Sequence, residues 1–151
     1  MKDCVFCQIV EGKIPSHKIY EDDEHLAFLD IHPNTRGMTL VIPKKHFDSY
    51  AFDMSRDDYL KLLEVSRKVA KALDKALGCK RTAMVMEGMG INHAHIKLYP
   101  LYGINEKFEK NVAKKVKFFD HYEGYIATFM GPRAKDEELE ELASKIRKVI
   151  Q

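Results

Sequence analysis

What this 151-residue chain lacks already narrows its class. No apolar run approaches the roughly 20 residues that cross a bilayer, which excludes a helical membrane span. The start, Met1-Lys2-Asp3-Cys4, carries no apolar stretch, so no secretory signal is expected. Cysteine is scarce and odd in number, at positions 4, 7 and 79. That argues against a disulfide framework and for a reducing, cytoplasmic setting. Charge of neither sign dominates: 25 Lys and Arg against 23 Asp and Glu leave net +2. Bulk charge therefore gives little reason to expect nucleic-acid binding. There is no internal repeat and no low-complexity segment. What is present, 45% apolar and 32% charged residues, is the profile of one globular domain. A domain of this size buries roughly two thirds of its surface and needs no staples.

Short apolar runs between turn signals predict strands at Lys18-Ile19-Tyr20, Leu26 to Ile31, Met38 to Ile42, Thr82 to Met86, His93 to Tyr99 and Gly124 to Met130. Ser55-Arg56-Asp57-Asp58 resembles a capping box. Beyond it Leu60, Leu63, Val69, Ala70, Leu73 and Leu77 recur at helical spacing, with Gly78 where the helix should stop. A second helix is expected over about 136–150, its acids early and its bases late as the macrodipole favours. Strands, a long central helix, then more strands predict an α+β fold with an antiparallel sheet and a C-terminal strand-helix extension.

His93-Ala94-His95-Ile96-Lys97-Leu98-Tyr99-Pro100 carries the most chemistry. Side chains alternate along a strand, so His93, His95, Lys97 and Tyr99 should share one face and Ala94, Ile96 and Leu98 the other, under the long helix. Same-face neighbours lie about 6–7 Å apart, close enough to converge on an anion or a metal. Gly88 and Gly90 just upstream could bring backbone N–H groups near a phosphate. The pair Cys4-Val5-Phe6-Cys7 is ambiguous between a zinc half-site and a redox pair. A redox pair normally follows a strand, and none precedes this one. Zinc needs four ligands; with no second cysteine pair, histidines such as His46 and His93 are the natural complement.

Read together, Cys4 to Pro15, Tyr20-Glu21-Asp22-Asp23, Leu26 to Ile31, Leu40-Val41-Ile42-Pro43-Lys44-Lys45-His46 and His93-Ala94-His95 resemble, in order, the histidine triad (HIT) superfamily of nucleotide hydrolases and transferases. The resemblance covers about residues 4–103. It implies a HIT domain over 1–103; the apolar faces of 125–130 and of the 136–150 helix need covering, so 104–151 is expected as an extension packed on the same domain. The resemblance also implies a homodimer, a nucleoside phosphate as ligand and His95 as the nucleophile that forms a nucleotidyl-histidine intermediate. Zinc-bearing members use positions that match Cys4, Cys7, His46 and His93, where the metal is structural. Phe28, Asp30, Ile31 and Asn92 fall where relatives hold the nucleotide. No membrane partner and no sequence-specific nucleic acid is expected.

The chain also departs from the family pattern. Lys97 stands at the third triad position, Met38 and Met86 replace a usual His and Asn, and the loop before the triad is short. Lys97 is expected to act beside His95 as a point charge on phosphate or leaving group. A lysine is a poor proton donor at neutral pH, so a leaving group that is already a good anion is expected over a phosphoramidate. The readings in competition are a HIT enzyme cleaving a nucleoside phosphoanhydride, a catalytically weakened nucleotide-binding relative, and a metallohydrolase with His95 itself on the metal. The basic stretch 105–117, with Lys107, Lys110, Lys114, Lys115 and Lys117, is read as a solvated face.

Overall fold

Two strands buried along their whole length organise the molecule in the computed structural model, which describes residues 3–112, 117–124, 126 and 129–150. These are β2 (His25–Leu29) and β3 (Thr39–Pro43), paired antiparallel. The sheet is completed by β1 (Lys18–Glu21), β4 (Arg81–Val85) and β5 (Ile96–Leu101) in the order β1-β2-β3-β5-β4, every neighbour antiparallel. Helices α1 (Val5–Val10), α2 (Arg56–Leu77) and α3 (Asp136–Arg147) cover it, which makes the fold α+β. No helix among the described residues is long and apolar enough to cross a membrane.

Alternation along the strands builds two cores from one sheet. Ala27, Leu29, Val41, Ile96 and Leu98 pack with α2 and α3, whereas Leu26, Phe28, Leu40 and Ile42 pack with Phe6 and Ile9 of α1. The long helix forms as its sequence predicts. The Ser55 hydroxyl accepts from Asp58 N–H at 3.2 Å, and Gly78 closes the helix at φ 65°, in the left-handed region. Its buried stripe is Leu62, Ser66, Val69, Leu73 and Ala76, while Leu60 stays exposed. Ser66 is tolerated there because its hydroxyl donates to the Leu62 carbonyl at 2.8 Å. Leu139, Leu142, Ala143 and Ile146 of α3 complete the same core.

The Cys4–Cys7 segment opens α1, with Cys4 at the N-cap. Two expectations need correction. The last core strand begins at Ile96, not His93. Ala94 N–H donates to the Phe47 carbonyl at 2.9 Å and His93 N–H to Ile91, which turns the chain before it joins the ladder. No strand forms among the described residues of 124–130; positions 125, 127 and 128, like Lys114 and Lys115, lie outside the description.

Candidate active site and metal centre

A row across the sheet sets out the site. Phe28 on β2 pairs with Leu40 on β3, Leu40 with Lys97 on β5, and Lys97 with Val85 on β4. Two interstrand spacings, about 10 Å, separate Phe28 from Lys97. A cavity of about 530 Å³ lies over this row, lined by Phe28, Asp30, Ile31, Leu40, His95 and Lys97 among others. Asp30 and Ile31 have left β2 by then. The Asp30 carboxylate accepts from His32 N–H at 2.7 Å, which fixes the turn.

His95 is buried at the cavity wall, its Nδ1 donating to the His93 carbonyl at 2.7 Å. That bond fixes the tautomer and leaves Nε2 with a lone pair. Burial pushes its pKa down, helped by the nearby Lys97 charge and opposed by Glu87 and Asp30, so the neutral ring is favoured. Phe6 of α1 stands edge-on to His95 at 5.3 Å, to His93 at 5.7 Å and to Phe28 at 5.7 Å, bracing all three.

Lys97 is paired. Its ammonium donates to Glu87, a residue that carries no signal of its own in the sequence. The two side chains are only 15% and 7% exposed. The other Glu87 oxygen accepts from Met89 N–H at 2.9 Å and from the Tyr122 hydroxyl at 3.4 Å. Burial works against the Glu87 carboxylate, but Lys97 and the Met89 N–H outweigh it and hold its pKa below the ordinary value. Tyr99, next along the same face, has its phenol pushed up to about 12 by burial and by Asp30 and Glu87.

His93, expected beside His95 in the same row, turns away from the cavity towards Cys4, Cys7 and His46. The four ligand atoms lie within 4.8 Å of one another. Cys4 Sγ is 3.4 Å from His93 Nδ1, Cys7 Sγ 3.4 Å from His46 Nδ1, and Cys7 Sγ 3.7 Å from His93 Nδ1. A zinc tetrahedron with Zn–S of about 2.3 Å and Zn–N of about 2.0–2.1 Å has S···N edges of about 3.6 Å. The residues fit zinc in spacing and in donor type. His93 Nε2 donates to the Pro43 carbonyl at 2.9 Å, which presents Nδ1 to the thiols. Asn92 does not line the cavity. Its amide donates to Asp48 and accepts from Ser49 N–H, both at 2.9 Å, and so pins the loop that carries His46. His95 is not in the four-residue cluster, which weighs against the metallohydrolase reading.

Residues 11–102 match the HIT domain family. The chain belongs to this family. An uncharacterized HIT-like protein of Methanocaldococcus jannaschii is 38% identical over 104 residues, 66% of this chain and 79% of the relative. Among solved structures, a hypothetical histidine triad nucleotide-binding protein of Sulfolobus tokodaii superposes with TM-score 0.74 at 27% identity, covering 97% of this chain and 91% of that one. A zinc-bound histidine triad family protein of Mycobacterium smegmatis gives TM-score 0.68 at 27% identity, with 99% and 94% covered. The HIT match ends at Gly103's neighbour Tyr102, so the Glu87 partner Tyr122 and the whole of α3 lie beyond it.

Proposed function

We propose that this HIT protein is a nucleotidyl hydrolase or transferase acting on a nucleoside phosphoanhydride, with His95 as nucleophile. The observation that carries the reading is the His95 ring, held through Nδ1 by the His93 carbonyl at the wall of the cavity that Asp30 and Lys97 also line. The base rests between Phe28 and Ile31, and Asp30 takes the ribose hydroxyls. Nε2 of His95 attacks the α-phosphorus; a P–N bond forms, the P–O bond to the leaving phosphate breaks, and that oxygen keeps the electron pair. Lys97 offsets charge on the phosphoryl oxygens. Water or a second acceptor then attacks phosphorus, releases the nucleotide and returns His95 neutral. Zinc held by Cys4, Cys7, His46 and His93 supplies structural cross-linking. These ligands fix the His93 backbone, whose carbonyl orients the nucleophile.

A reducing, cytoplasmic setting goes with this reading, because ligand thiols must stay reduced. A homodimer also goes with it: β4 is an edge strand with Met84 half exposed, a surface a second copy could extend. Light scattering at micromolar concentration should give twice the chain mass, and a monomer would overturn that part.

The test of the chemistry is covalent trapping. Acid-quenched protein incubated with a radiolabelled dinucleoside polyphosphate or nucleotide sugar should carry label on His95, and His95→Ala should carry none. The Lys97–Glu87 pair favours one second reading, a nucleotide-binding protein with weakened catalysis, because the ammonium is already engaged. Calorimetric binding without label or turnover on any substrate would select it.

A further inference from the structure

The nucleotide cavity is not closed by the family domain alone. Tyr122, Gly124, Phe129 and Met130 line it too, and all four lie beyond the residues that match the HIT family. Phe129 and Met130 are 86% and 79% exposed, so in the free protein they stand open to solvent at the mouth of the cavity. Large apolar side chains left open at the edge of an apolar cavity are what a ligand covers on binding.

Their position is fixed by the main chain. Gly131 N–H donates to the His32 carbonyl at 3.3 Å, and Ala134 N–H to the Ile31 carbonyl at 2.9 Å. Both acceptors directly follow Asp30. A Cβ at position 131 would overlap the Pro33 carbonyl, so the approach requires glycine there. At the other end of the cavity the Tyr122 hydroxyl reaches Glu87, the partner of Lys97. Tyr122 on one side and Phe129 to Gly131 on the other therefore meet the cleft at its phosphate and its nucleoside ends.

We infer that Phe129 and Met130, clamped at Gly131 against 31–33, form a second wall of the nucleoside subsite and contribute directly to nucleotide affinity. The inference rests on the nucleotide reading above. The occupant is the base of a nucleoside 5′-phosphate, because the clamp is at Ile31 and the charged groups Glu87 and Lys97 lie at the opposite end.

The test is calorimetric titration of the full-length protein with the four common nucleoside 5′-monophosphates. Phe129→Ala combined with Met130→Ala should weaken binding about 5- to 140-fold, the range for losing a stacking partner on a base. Because both side chains are exposed, the melting temperature without ligand should stay unchanged. Gly131→Ala should weaken binding in the same direction by displacing the clamp. The chain has no tryptophan, so Phe129→Trp supplies a single indole, whose emission should shift on nucleotide addition. Wild-type binding with unchanged affinity in the double variant, and no indole response, would overturn the second wall and leave the nucleotide reading standing. A changed oligomeric state with unchanged affinity would overturn it in favour of a contact between copies. No binding of any of the four nucleotides to the wild type would overturn both.

Discussion

Replacing Lys97 by methionine removes the ammonium paired with Glu87. The pair lies in the cavity wall, with side chains 15% and 7% exposed, so the carboxylate cannot recover full hydration. Among the described residues it would keep the Met89 N–H and the Tyr122 hydroxyl as donors. Breaking a buried pair from one side typically costs about 3–5 kcal/mol, which for a domain near 150 residues corresponds to a fall of about 6–20 °C in Tm. The pH dependence follows from the direction of the shift. In the wild type the Glu87 pKa is lowered, so its contribution is present above the ordinary carboxylate value and lost as pH falls through the folded one. Without Lys97, burial dominates and the pKa rises, so acid relieves the variant by protonating Glu87. The gap between wild type and Lys97→Met should thus be widest at pH 7 and narrow steadily towards pH 4. Loss of metal in acid affects both proteins alike and drops out of the difference. Adding Glu87→Leu should restore most of the stability at pH 7. The assay is thermal unfolding followed by circular dichroism across that pH range. A Tm within about 2 °C of wild type at pH 7, or an equal gap at pH 7 and pH 4, would refute the reasoning.

Cys7→Ser should abolish stoichiometric zinc and lower the melting temperature, as a chelator should for the wild type; elemental analysis that still finds one zinc per chain would count against the four-residue set. Truncation after Gly103 removes the α3 contribution to the main core, and an insoluble or strongly destabilised product is expected. As a milder probe of the same packing, Leu142→Ala should cost about 2–5 kcal/mol in urea unfolding. Ser55→Ala should cost about 1 kcal/mol by freeing the Asp58 N–H, with the unfolding m-value unchanged.

Local chemistry made much of this protein legible from its residues alone. The span of α2 follows from a capping serine, a 3.6-residue apolar period and a glycine able to take positive φ, all of which act within one turn. The four-residue Cys/His cluster was legible for a different reason: two thiols need two nitrogen partners to hold a metal, and the resemblance to known relatives matched His46 and His93. What depended on tertiary structure was how distant segments meet. The Glu87–Lys97 pair exists because β4 and β5 pair with Val85 opposite Lys97, so that Glu87 falls just beyond on the same side, and strand register is a property of the whole sheet. His93 left the expected strand because bonds from Ala94 to Phe47 and from the His93 ring to Pro43 hold it elsewhere. Asn92, expected on the nucleotide, spends both ends of its amide on Asp48 and Ser49, 44 and 43 residues away. Sequence periodicity reports which face a residue prefers. Only the closed chain decides which distant group stands opposite it.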